Sequence, residues 1–314
     1  MPHTSKRVAR LGALIVFFAA VALNPLTPFA CSQAPVEVDK IAAALPAEAS
    51  VKPATPRKIL VFTLCKGFVH SSIPTGVKAL EMIGEKTGAY TIVHSEDPAS
   101  LSAESLKGFD AVCMLNTTGE LFEDAALRTG LIDYVMGGKG LIGIHAATDC
   151  FYQWAQYGEM MGGYFDGHPW GSGDTVTLKI DDPGHPVTRA FMGKPFTIMD
   201  EIYQFKPEPY SRTKLRVLTS LDTEKTDMTK NGIKRTDGDF AVAWVRAFGK
   251  GRVFYCSLGH NEKTYWNPPV LQHYLDGIQF ALGDLAADAT PSGELPADHL
   301  EKSRAELEAY LLQK

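Results

Sequence analysis

The segment Leu141-Ile142-Gly143-Ile144-His145-Ala146-Ala147-Thr148-Asp149 constrains the fold most, because an apolar run stops at a histidine flanked by Gly143 and the small pair Ala146-Ala147. Such a run reads as a buried strand breaking into a tight turn before a new element, the geometry that lifts one reactive side chain above the sheet edge in many α/β enzymes. Here the lifted residue is His145. Imidazole exchanges protons near neutral pH or binds a metal but seldom accepts an acyl group, so the elbow argues against simple acyl transfer. The competing reading is a histidine hydrogen-bonded beneath a loop.

The segments before and after the elbow place it in a wound sheet. Residues 58–64, 90–93, 111–115 and 141–144 read as strands, with one helix opened by Ser72 and Pro74 and closed by Gly88, and another between Glu123 and Met136. Alternation at this spacing implies right-handed crossovers and a parallel sheet, whose sites lie beyond the strand C-terminal ends. That edge receives residues 65–72, 116–120 and 145–149, and with them Asn116 and Asp149 as candidate substrate contacts. After Trp170, residues 175–180, 198–205, 215–221, 241–245 and 253–257 are strand-like with few helices between them, which predicts a partly antiparallel extension on the same core. Pro268-Pro269 open a last amphipathic helix through Leu282.

The ends divide the chain into a signal peptide at 1–31, a linker at 32–56, a domain at 57–285 and a tail with a helix at 286–314. Lys6, Arg7 and Arg10 precede an apolar or small stretch from Leu11 to Leu23, then Pro25, Pro28 and Ala30. This is the order of a secretory signal, too short for the ~20 apolar residues that span a bilayer. The expected location is the periplasm or the exterior, with Cys31 as a lipid-anchoring point in the membrane-attached alternative. The 31 Lys and Arg face 36 Asp and Glu; loss of the three leader charges takes the net charge from −5 to −8, a surface that does not invite nucleic acid. None of the five cysteines forms a CxxC pair, so a cysteine zinc site is not expected.

His70, His145 and His260 each follow an apolar run, and His168 lies in Gly167-His168-Pro169. If the sheet is wound as argued, the first three converge on one edge as acid/base groups or as ligands of a divalent metal such as zinc, although no HExxH segment supports a metal locally. Glu201 of the pair Asp200-Glu201 completes the catalytic set, because successive strand residues point oppositely and one carboxylate faces the cleft. Trp170 and Tyr203 abut these polar candidates and, with His168, are expected to bind substrate.

The blocks Lys66-Gly67-Phe68-Val69-His70-Ser71-Ser72-Ile73, Gly143-Ile144-His145-Ala146-Ala147, Gly167-His168-Pro169, Asp200-Glu201-Ile202-Tyr203 and Gly249-Lys250-Gly251-Arg252-Val253-Phe254-Tyr255, with Gly259-His260, resemble the trehalose-utilisation, ThuA-like family in order from about Lys58 to Gly283. The resemblance implies an α/β, flavodoxin-like or glutamine amidotransferase-like fold: a mostly parallel sheet flanked by helices, with an antiparallel extension. His145 then stands where an amidotransferase has its elbow cysteine, so glutaminase activity is not expected. It also implies a small-molecule carbohydrate partner, a disaccharide or a glycoside oxidised to a keto sugar, and a sugar oxidoreductase working alongside. The alternative from another class is a sugar-binding or scaffold protein that does no chemistry.

Overall fold

The computed structural model describes residues 1–2 and 36–313; nearly all of the expected signal peptide, Cys31 included, lies outside the described residues. The chain runs through α1 (Val38–Ala44), β1 (Lys58–Phe62), α2 (Ile73–Thr87), β2 (Thr91–Ser95), α3 (Ala103–Leu106), β3 (Ala111–Leu115), α4 (Ala125–Met136), β4 (Gly140–Ile144), α5 (Ala155–Met161), β5 (Thr175–Ile180), β6 (Phe196–Met199), β7 (Arg216–Leu221), β8 (Ala241–Phe248), β9 (Gly251–Cys256), α6 (Pro268–Leu282) and α7 (His299–Leu311). One sheet contains all these strands in the order β2-β1-β3-β4-β9-β8-β7-β5-β6. From β2 to β9 neighbours are parallel, and from β9 to β6 they are antiparallel. The antiparallel part is therefore nearly as wide as the parallel one.

The two-residue period of a strand builds both layers at once. Ile59, Val61, Cys113, Leu115, Ile142 and Ile144 meet Ala79, Leu80 and Ile83 of α2 and Leu271, Leu275 and Ile278 of α6 on one face. The alternate residues Leu60, Phe62, Val112, Met114 and Leu141 meet Leu131 and Val135 of α4 and Tyr157, Met160 and Met161 of α5 on the other. Burial on both sides explains why these strands read as unbroken apolar runs.

Two segments differ from expectation. The strand expected at 198–205 ends at Met199; beyond it only isolated bridges join Ile202 to Trp170 and Phe205 to Phe165. The reason is that Asp200 turns inward to accept the N–H groups of Gly259 and Asn261, which breaks the ladder. Within the stretch read as a linker, α1 packs on the domain with Ile41 fully buried. Val51 N–H donates to Gln279 Oε1, and Gln279 Nε2 donates to the Val51 carbonyl. The tail is likewise docked: Ser303 Oγ donates to Asp182 Oδ1 at 2.6 Å and accepts from the Gly184 N–H, and Arg216 pairs with Asp182 at 2.7 Å.

Among the described residues no helix is long and apolar enough to cross a membrane. Cys65, Cys113, Cys150 and Cys256 are free thiols.

The packing around Gly143 leaves no room for a methyl group: a Cβ there would sit 2.5 Å from Met161 Sδ and 2.8 Å from the Tyr255 ring. Gly143→Ala is expected to destabilise the fold by about 1–3 kcal/mol, the range for overpacking, measured by denaturant unfolding. His273 on α6 is buried, donates from Nδ1 to the Val187 carbonyl at 2.7 Å, and is pushed down to about 4 by burial. Its folded pKa lies below the ordinary 6.5, so its contribution is complete above pH 6.5 and is lost as pH falls towards 4. Comparing His273→Leu with wild type from pH 7 to 4 should show the stability difference shift by on the order of 3 kcal/mol in favour of the variant.

Candidate active site

The elbow after β4 places His145 at φ +50°, a left-handed conformation that bulky residues seldom adopt. A 3-10 turn, His145–Thr148, follows and directs the chain away from the sheet. Neighbouring strand β9 holds the strained residue: the Tyr255 hydroxyl donates to the His145 carbonyl at 2.7 Å, and His145 Nδ1 lies 2.7 Å from the Ser257 carbonyl. A carbonyl only accepts, so Nδ1 carries the proton and Nε2 presents its lone pair. That lone pair faces Tyr203 Oη at 3.0 Å, His70 Nε2 at 3.2 Å and Glu201 Oε1 at 3.7 Å.

His70 arrives on the loop after β1, which is fastened to the loop after β3 by a bridge between Cys65 and Thr118. His260 arrives on the loop after β9, and three groups hold the carbonyl just before it. Ser72 Oγ, Asn116 Nδ2 and the Tyr265 hydroxyl all donate to the Gly259 carbonyl, at 2.9, 3.2 and 3.1 Å. Asp200 accepts the N–H groups on either side of His260, from Gly259 at 2.7 Å and Asn261 at 2.9 Å. Glu201, one residue on, turns the other way: its Oε1 lies 3.3 Å from His260 Nδ1 and its Oε2 3.3 Å from His168 Nδ1.

One ligand atom from each of His70, His145, Glu201 and His260 lies within 4.8 Å of the others. Burial, and then the charges of His260 and His168, push His70 down to about 3, while burial and then His70 push His145 well below the ordinary histidine value, so both imidazoles are neutral at pH 7. Burial also opposes a charge on His260, but Glu201, Asp200 and Glu262 outweigh it and raise this group. His70 Nδ1 is buried without a hydrogen-bond partner, and His260 Nδ1 is buried with Glu201 Oε1 at 3.3 Å, out of line for a well-aligned hydrogen bond. Two neutral imidazoles whose Nε2 atoms meet, beside a carboxylate and a third imidazole, are the donor set of a divalent cation such as zinc, which takes nitrogen and oxygen at about 2.0–2.2 Å. The residues fit such an ion after a small contraction.

A cavity of about 270 Å³ opens on this cluster, lined by Phe68, His70, Asp149, Phe165, His168, Glu201, Tyr203 and His260. Of the expected site residues, His70, His260, Glu201, Tyr203, His168 and Asp149 line it, and His145 lies fully buried behind them, against His70, Tyr203 and Glu201. Asp149 is held by the Tyr152 hydroxyl at 2.5 Å. Asn116 and Trp170 do not line it. Asn116 is fully buried with its amide bonded to Ser72 and Gly259, and Trp170 is a core residue whose indole N–H donates to the Asp227 carbonyl. Asn116 thus positions the His260 loop, whereas Trp170 packs beneath the site against Phe240.

Sequence reasoning missed Phe68, Phe165 and the inward role of Asp200. The first lay inside a recognised block, and the last was half of a noticed acidic pair. Cys150 is no substitute nucleophile: it is buried, bonded to the Ala147 carbonyl and pushed up to about 12 by burial.

The ThuA family, described as trehalose utilisation, matches residues 58–281. A solved ThuA-like protein from Bacteroides uniformis superposes with a TM-score of 0.61 at 23% identity, over 73% of this chain and 93% of that one. Another from Parabacteroides merdae gives 0.55 at 19% identity, over 78% and 94%. These likenesses establish the fold, and no curated protein matches the chain. With the family match spanning well over half the sequence, this chain belongs to the ThuA family.

Proposed function

We propose that this protein is an exported enzyme that moves a proton beside the ketone of an oxidised sugar, with Glu201 as the base. The observation that carries the reading is the convergence of three imidazoles and one carboxylate in a cavity near the lower end of the ~300–1,000 Å³ range for small-molecule sites, a volume suited to one sugar ring. The family's link to trehalose utilisation supports a carbohydrate.

A ketone acidifies the neighbouring C–H. Glu201 takes that proton, and the electron pair moves into an enolate on the former carbonyl oxygen. Where a glycosidic oxygen lies β to the ketone, collapse of the enolate breaks the C–O bond. His168, on the other carboxylate oxygen and half exposed at the mouth, is placed to protonate the departing oxygen. Tyr203, whose ring lies 4.5 Å from that of His145 and whose hydroxyl meets Nε2 at 3.0 Å, closes the floor over that imidazole. A divalent cation held by His70, His145 and His260 would polarise the ketone and stabilise the oxyanion. The substrate requires a prior oxidation, so the reaction class that feeds this site is a sugar oxidoreductase.

Two measurements test the proposal. Metal analysis of the protein beginning at about Gln33 is expected to find a divalent ion at one per chain, lost in His145→Asn, which keeps a residue tolerant of positive φ and a donor for Ser257. A metal-free wild type overturns the cation and leaves acid/base chemistry by Glu201. Deuterium exchange next to the ketone of an oxidised methyl glucoside, followed by NMR in heavy water, is expected to fall about 10²–10⁴-fold in Glu201→Gln. Absence of exchange with wild type overturns the enzyme reading in favour of sugar binding alone.

A further inference from the structure

Phe68, at the mouth of a polar cavity, is 63% exposed, and its chain neighbour Val69 is 62% exposed. Among the described residues Phe68 is the only exposed large aromatic side chain. Its backbone is not loose: the Lys66 and Gly67 N–H groups donate to the Thr118 carbonyl at 2.7 and 3.2 Å, and Thr118 Oγ1 donates to the Phe68 carbonyl at 2.7 Å. The ring is equally well placed. It stands edge-on to His70 with centroids 4.8 Å apart and lies nearly parallel to His260 at 6.3 Å, continuing the wall of the cavity outward into solvent.

The opposite wall is different in kind. Phe165 lies nearly parallel to His168 at 5.9 Å and against Tyr203 at 4.4 Å, partly buried, so its ring serves packing. An apolar face free for a ligand therefore exists on one rim only. The cavity of about 270 Å³ has room for one sugar ring, so whatever is attached to that ring must lie outside.

Resting on the reading above, we infer that Phe68 is the platform of a second subsite, so that the protein takes disaccharides and aryl glycosides. The reacting ring sits among the histidines, and the group beyond the glycosidic oxygen stacks on Phe68, with Val69 extending the apolar surface. A pyranose offers a face of C–H groups and an aryl group a π-face, and either covers an exposed phenyl ring that water solvates poorly.

The test is titration calorimetry of the full mature protein with the ketone forms of methyl glucoside, phenyl glucoside and trehalose. Wild type is expected to bind the phenyl glycoside and the disaccharide about tenfold more tightly than the methyl glycoside, the size of one good ring contact. Phe68→Ala is expected to lose that ratio, and Phe68→Trp to restore it. A ratio near one in wild type, or a ratio unchanged in Phe68→Ala, overturns the platform while leaving the sugar site standing. If wild type binds none of the three, the functional reading fails and the platform falls with it.

Discussion

The hydrogen bond from His145 Nδ1 to the carbonyl of Ser257 is the contact on which the rest of the site depends. It joins the ends of two neighbouring parallel strands, β4 and β9, and selects the tautomer of a fully buried ring. Without it, rotation of the imidazole would point a proton at His70, Tyr203 and Glu201 instead of a lone pair. The positive φ at His145 is sustained by the same neighbours, since Tyr255 holds its carbonyl and Gly143 lets the strand pack closely against Met161 and Tyr255. At this elbow the side chain set above the sheet edge is a buried imidazole whose Nε2 turns to His70, Tyr203 and Glu201.

The pair Asp200-Glu201 shows how one strand end supplies both a support and a carboxylate that faces the cavity. Alternation sends the two carboxylates to opposite sides. Asp200 is buried, raised to about 6 by desolvation against the pull of its two N–H bonds, and it clamps the loop bearing His260. Glu201 faces the cavity, with imidazoles on both of its oxygens. Rigidity behind the site comes from this clamp and from the three donors on the Gly259 carbonyl, Asn116 among them. Such outer contacts orient ligands and acid/base groups as surely as the groups that touch substrate.

Much of this was legible in the chain because burial on both faces writes strands as apolar runs. The strand at Ala111–Leu115, the strand at Thr175–Ile180 and the helix at Pro268–Leu282 fall where the sequence places them. Three site histidines could be named because each follows such a run, and the winding of the sheet carries those ends to one edge. Reading failed where a long-range contact overrides a local pattern. Residues 200–205 have strand composition, yet the Asp200 clamp breaks the ladder. The Ala- and Pro-rich segment before β1 resembles a tether, yet Ile41 finds a buried site in the domain. Trp170 and Phe68 are placed by the same cause: one ring is covered by the core and the other is left at the rim, and nothing local distinguishes them.

The sequence by itself determined the class of fold, the elbow at His145 and the set of residues able to carry acid/base or metal chemistry, because strand periodicity and residue type are local properties. Only the tertiary structure decided that His70, His145, His260 and Glu201 meet within 4.8 Å, that Asn116 and Asp200 support them from behind, and that Phe68 stands exposed beside them. Those facts depend on distances between residues separated by up to 190 positions, which sheet order and loop packing set and no local pattern records.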